Sequence, residues 1–171
     1  GISSSMLCYM ANKGMLRRVS RGFYALPDFE PVHETLSTIA LNIPNGVICL
    51  LSALQFHEVT TQMPYETWVA IETSSNYPRN LKNPVRIIQL TGENFSTGIQ
   101  TFTEDGIKIS VYNPAKTVVD CFRFRNKIGT EIAVEALRDT LKQKKATSDE
   151  IWEYARRCRI ARVMRPYMEA I

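Results

Sequence analysis

The feature that most constrains this chain lies at its start, where a helical repeat runs directly into a basic hairpin within residues 1–27. Ser3, Ser4 and Ser5 are candidate N-caps, and Ile2, Met6, Tyr9 and Met10 recur at spacings of three and four. With Gly14 placed for a left-handed C-terminal cap, this spacing predicts a helix over residues 2–13. Two β-favouring runs, 16–19 and 23–26, then flank Ser20-Arg21-Gly22, a three-residue loop carrying the glycine that such hairpins need. Pro27 and Asp28 close the unit. A helix of about ten residues with two short strands is too small to bury a core of its own. The unit is therefore expected to be the back half of a larger module, whose front half would lie upstream of Gly1.

Charge sharpens this division. The whole chain of 171 residues carries a formal +4, yet residues 1–27 hold Lys13, Arg17, Arg18 and Arg21 and no acid at all. Residues 28–120 hold ten acids against five bases, and residues 121–171 hold twelve bases against seven acids. Two cationic ends thus flank an acidic middle, which makes a polyanionic partner plausible at either end. Short basic stretches are more often plain solvated surface, so charge alone names no partner.

Several classes fall away. The longest mostly apolar run, 46–54, is far short of the roughly 20 residues that span a bilayer, so no membrane partner and a cytoplasmic location are expected. Cys8, Cys49, Cys121 and Cys158 are widely spaced, with only His33 and His57 to help them. Reduced, mostly buried thiols are expected, with no metal site, disulfide framework or cofactor.

Beyond Pro27 the pattern predicts an α+β domain over residues 28–171. A helix over 31–42 presents Val32, Leu36, Ile39 and Ala40, and Pro44-Asn45-Gly46 breaks it. Residues 47–57 are apolar nearly all round and predict a buried short helix. Strands are predicted at 67–72 and 85–90, with a hairpin of 97–103 and 107–112 around Glu104-Asp105-Gly106. Residues 73–84 form a polar loop. The last third is helical: Asn113 caps a helix with Pro114 at its first position and Val118, Val119 and Phe122 as its stripe. A second helix covers 130–141, Thr147 and Glu150 form a capping box for a third, and a final helix runs to about Ala170. The expected architecture is a partial winged helix-turn-helix followed by a small sheet covered by helices.

The N-terminal helix and hairpin match the recognition helix and wing of a winged helix-turn-helix. In that geometry the helix N-terminus enters the major groove and the wing lies along the backbone. Ser3, Ser4, Ser5 and Tyr9 would then lie near the duplex, with Lys13, Arg17, Arg18 and Arg21 as the cationic contacts. The plainer alternative is a helix and hairpin packed as a surface appendage.

Three stretches in order add a resemblance. Gly14-Met-Leu-Arg-Arg-Val-Ser-Arg-Gly-Phe-Tyr-Ala-Leu-Pro27 resembles the G-x-L-x-R-V-x-R-G-x-Y-x-L-P stretch of the AbiEi family of abortive-infection antitoxins. Pro44-Asn-Gly-Val-Ile-Cys-Leu-Leu-Ser-Ala-Leu54 is similar to the family's P-x-G-V-I-x-L-x-S-A-L helix, with His57 just after it. Tyr112-Asn-Pro-Ala-Lys-Thr-Val-Val-Asp120 is similar to its T-P-x-x-T-x-x-D helix start. The resemblance implies a cytoplasmic antitoxin of a type IV toxin-antitoxin system that serves phage defence. It implies also a transcriptional autorepressor whose winged helix binds inverted repeats in its own double-stranded promoter DNA. The functional partner implied is a nucleotidyltransferase-like toxin, opposed without a direct complex.

Two further groups carry chemistry. Arg156, Arg159, Arg162 and Arg165 recur every three residues, which on one helix makes a stripe drifting about 60° per step. They are read either as a second DNA-contacting face or as solvated surface pairing with Glu150 and Glu153. Lys116, Thr117 and Asp120 at the start of the Asn113-capped helix are the candidate antitoxin site, where backbone N–H groups could receive an anion. Their plainer reading is a capped helix whose Asp120 binds a neighbouring Arg. An enzyme alternative, nuclease-like or acting on nucleotides, would need Glu72, Asp105 and Lys108 to converge, although Asp105 is better explained by its turn. A protein-binding module is the third alternative, and a non-catalytic protein is the expectation.

Overall fold

The computed structural model describes residues 1–20, 22–28, 33–77, 81 and 83–171. The N-terminal unit is helix α1 (Ser4–Asn12) followed by a hairpin of β1 (Arg17–Ser20) and β2 (Phe23–Ala25). Gly14, at φ +73°, donates its N–H to Ala11 O, and Met15 N–H reaches back to Met10 O. Those two bonds are the Schellman end that a glycine after Lys13 predicts. In the hairpin Ser20 pairs opposite Phe23, so the connection is shorter than the three residues expected, and Arg21 within it lies outside the described residues. Helix α2 (Glu34–Asn42) follows; Pro31 and Val32 of the predicted helix also lie outside the described residues.

Residues 47–57 differ from expectation. Val47–Ile48 form a strand, β3, and only Leu50–Phe56 are helical, as α3. Gly46 makes the strand possible: a Cβ there would lie 2.7 Å from Val69 Cγ1 and 2.9 Å from Ile43 Cγ2, so only glycine lets the backbone come this close. Leu50 then takes a left-handed φ of +48° to turn the chain into α3. A short run that is apolar on every side has no period, and periodicity alone cannot separate a central strand from a buried helix.

Around β3 the chain builds a five-stranded mixed sheet with β4 (Thr67–Glu72), β5 (Val85–Leu90), β6 (Ile99–Glu104) and β7 (Ile107–Tyr112), in the order β5-β4-β3-β7-β6. β3 runs antiparallel to β4 and parallel to β7, while β4 and β5 are parallel and β6 and β7 form the hairpin. Helix α4 (Glu93–Ser96) joins β5 to β6.

Side-chain alternation gives the sheet two buried faces. On one, Val47, Trp68, Ala70, Ile88, Leu90 and Tyr112 pack under α3 and the C-terminal helices: α5 (Pro114–Arg123), α6 (Arg125–Ile128), α7 (Thr130–Lys142), α8 (Ser148–Arg157) and α9 (Ala161–Glu169). On the other, Ile48, Val69, Ile71, Ile109 and Val111 pack against Ile39 and Ile43 around α2. The predicted α+β class, the helix-covered sheet and the helical last third are all present. No helix formed by the described residues is long and apolar enough to cross a membrane.

Candidate nucleic-acid interface

The N-terminal unit stands out because α1, nine residues long, buries none of them, a property shared only by the single-turn α4 among the helices of the described residues. Ser3 is the N-cap, its Oγ accepting from Met6 N–H at 3.3 Å and lying 3.0 Å from Ser5 Oγ. Ser4 and Ser5 begin the helix with exposed side chains. Tyr9 is 54% exposed, and Lys13 Nζ lies 5.9 Å from its ring centroid, so cation and aromatic share one solvent-facing patch. One side-chain contact ties α1 to the hairpin: Cys8 Sγ is 3.1 Å from Tyr24 Oη.

The hairpin's cations are not equivalent. Arg17 is ion-paired to Glu34 at the start of α2, which anchors the hairpin to the body and neutralises one of the predicted contacts. Arg18 is exposed on the adjacent strand position, and Arg21 lies outside the described residues. Lys13 and Arg18 are therefore the described cations of the unit that are offered to solvent. A cavity of about 300 Å³ sits between the hairpin and the body, lined by Val19, Tyr24, Leu26, Thr38, Leu41 and Ile107 among others.

The C-terminal arginines do not lie on one helix. α8 opens with the predicted capping box, Thr147 Oγ1 accepting from Glu150 N–H while the Glu150 carboxylate receives Thr147 N–H at 2.7 Å. It closes at Arg157, where Ile160 N–H bonds to Ala155 O and Arg159 adopts φ +56°. Arg156 thus ends α8, Arg159 sits on the corner, and Arg162 and Arg165 lie on α9. The continuous stripe becomes a cationic corner between two helices. All four are exposed and form no salt bridge among the described residues, whereas Arg157 pairs with Glu153 at 2.7 Å. Positive charge at the end of α8 also complements its backbone dipole.

Lys116, Thr117 and Asp120 do come together, but they face the interior. Asn113 Oδ1 accepts Lys116 N–H at 2.8 Å and caps α5, so this N-terminus is satisfied from within. Lys116 Nζ donates to Asp120 Oδ2 at 2.5 Å, with both side chains no more than 1% exposed, and lies 4.3 Å from the Tyr112 ring centroid. Thr117 Oγ1 donates to Tyr112 O at 3.2 Å. Burial raises the Asp120 carboxyl above its ordinary value, against the pull of the Lys116 charge. Oδ1 of Asp120 has no hydrogen-bond partner among the described residues. Burial likewise pushes up the thiols of Cys49 and Cys121, helped in each case by the Asp120 carboxylate. An external anion has no access to these groups, and the partner of Asp120 is Lys116 from the preceding turn.

Sequence reasoning missed the residues that complete this network. His57 Nε2 donates to Tyr112 O at 2.7 Å, and burial lowers its pKa below the usual imidazole value, with Lys145 acting in the same direction. Tyr112 Oη donates to Phe95 O at 2.6 Å, and Arg123 reaches both Asn94 Oδ1 and Cys158 O. One signal was available: Lys116 and Asp120 stand at i, i+4 amid Val118, Val119 and Phe122, which is a charge pair set on a core-facing helix.

Neither a scan against family models nor a search of curated proteins gives a match. The site is therefore read on its geometry. Glu72 ends β4, and Asp105 lies in the β6–β7 turn at φ +52°, with β3 and β7 between those strands, so the carboxylates proposed for an enzyme do not converge. Among the described residues no group of three His, Cys, Asp or Glu is placed to hold a metal ion. What the geometry offers is two exposed cationic surfaces, an arrangement suited to a phosphate backbone.

Proposed function

We propose that this chain is a DNA-binding, autoregulatory antitoxin of the AbiEi type, acting without catalysis or cofactor. The observation that carries the reading is α1 with its hairpin: a helix with no buried residue, opened by serines and followed by a basic β-ribbon. In a winged helix the serines at the start of α1 would approach the major groove while Arg18 and Arg21 contact phosphates. Three ordered motif resemblances support the same reading. The proposed target is double-stranded promoter DNA bearing inverted repeats. The functional partner is a nucleotidyltransferase-like toxin that is opposed without a stable complex, inside the cytoplasm.

The cationic corner of Arg156, Arg159, Arg162 and Arg165 is proposed as a second phosphate-contacting surface on the same duplex. The buried Lys116, Thr117 and Asp120 support the fold of the effector domain, and a role in antitoxin action would run through that fold.

A mobility-shift titration against the chain's own promoter across a salt series tests the reading. Binding is expected to weaken steeply with salt, and Arg18→Ala with Arg21→Ala to flatten that dependence by about one phosphate contact each. Arg17→Ala is expected to act differently, by loosening the hairpin from Glu34. Absence of binding, or affinity unchanged in the Arg18 and Arg21 variants, overturns the proposal.

A further inference from the structure

We propose that the edge of β6, unpaired among the described residues, is a self-association surface, on which a second copy of this chain adds its own β6 in antiparallel register to continue the sheet. This goes beyond the DNA-binding reading and does not depend on it.

The hairpin fixes which backbone groups point outward. Asp105 at φ +52° and Gly106 at φ +80° make a two-residue primed turn, so Glu104 and Ile107 are the hydrogen-bonded closing pair. Pairs then alternate along the ladder, and the bond from Asn113 N–H to Gly98 O at 2.7 Å confirms the parity at its far end. Gln100 and Phe102 bond inward to β7. Ile99, Thr101 and Thr103 therefore turn their N–H and C=O groups to the open side, where no backbone group of the described residues meets them.

A second β6 fits this row. With a two-fold axis through Thr101, Thr101 faces its own counterpart and Ile99 faces Thr103, so every outward donor meets an outward acceptor. The side chains agree as well. Ile99 and Phe102 are 37% and 39% exposed, and the Phe102 ring stands 4.9 Å from Phe56, which stands 5.1 Å from His33. In this register Gln100 of the second copy lies directly opposite Phe102, and its Phe102 lies one diagonal step away on the same face.

Charge is compatible with self-pairing. The one charged residue of β6 is Glu104, which already accepts from His33 N–H and Ser37 Oγ. In this register it falls opposite Gly98 of the second copy, so no carboxylate meets another. Apart from Glu104, β6 carries no guard of an open edge in its own sequence: it has no Lys, Arg or Pro, and its register with β7 is unbroken. The other edge, β5, is preceded by Pro84 and carries Arg86, with Tyr77, Phe124 and Lys127 beside Ile87 and Gln89.

Six residues per copy make a small interface, so the dimer is expected in the micromolar range. Sedimentation of the DNA-free chain from about 1 to several hundred micromolar tests this. The expected result is a concentration-dependent dimer. Thr101→Lys, which sets two ammonium groups across the axis, should weaken it by up to about fivefold, with an unchanged circular dichroism spectrum. Gln89→Lys on β5 should leave it intact, and mixing Thr101→Lys with Thr101→Glu chains should restore association. A chain that stays monomeric throughout, or a dimer indifferent to Thr101→Lys, overturns the proposal.

Discussion

Lys116 and Asp120 spend most of their side-chain atoms in an apolar interior, and their geometry shows what such a pair does. Taking two charges from water is costly, and a 2.5 Å contact that leaves Oδ1 without a partner among the described residues offsets that penalty only in part. Removing one partner is much worse than removing both, because it strands a buried charge. Lys116→Met alone is accordingly expected to lower unfolding free energy by about 3–5 kcal/mol, and Lys116→Met with Asp120→Leu to recover most of that loss, as read by urea denaturation. The same burial governs pH behaviour. His57 is depressed below its ordinary pKa of 6.5, so the unfolded chain binds the extra proton first, and stability falls as pH drops below that value. Asp120 is raised above 3.8, so its contribution runs the other way and is lost as pH climbs through the folded value. A His57→Gln variant should flatten the decline in urea midpoint between about pH 7 and pH 5, leaving the Asp120 trend alone.

At the scale of elements, the places where the chain's local chemistry decided the outcome are those with a cap or a turn. Asn113-Pro114, Thr147 with Glu150, Gly14 and Asp105-Gly106 each satisfy or bend specific backbone groups, and each element they punctuate lies where the sequence predicts it. β3 was not legible because its identity is tertiary: two residues become a central strand only through pairing with β4 and β7. Two helices were expected at the C-terminal end, but not that the arginine stripe would be split between them, since an arginine every third residue reads as lying on one helix until Arg159 takes its left-handed turn. The capping chemistry at Asn113 marks a helix start without saying which side meets the sheet, so the inward orientation of Lys116 was legible only in its i, i+4 spacing to Asp120 amid Val118, Val119 and Phe122. Two substitutions weigh these devices. Thr147→Ala should lower stability by about 1 kcal/mol through loss of the α8 cap. Gly98→Ala should lower it by more, about 2 kcal/mol or above, because φ is +77° and the new Cβ would sit 2.6 Å from Lys116 Cβ.

Across the whole molecule, the +4 of the sequence resolves into surfaces with different availability. Arg17 is spent on Glu34 and Arg86 on Glu66, so local acids cancel part of the cationic total, whereas Arg18, Arg156, Arg159, Arg162 and Arg165 remain exposed. If hairpin and corner grip one duplex, their phosphate contacts add in a single salt dependence. Replacing the four corner arginines by Ala should then reduce the slope of log affinity against log salt by about three to four, and Arg18→Ala by about one. The base-reading preference set by α1 should be retained in the corner variant, since phosphate contacts carry no sequence information. Fluorescence anisotropy with the promoter duplex and a scrambled duplex, across salt, separates these effects. An unchanged slope in the corner variant would assign that surface to solvent and leave α1 with its hairpin as the proposed DNA contact among the described residues.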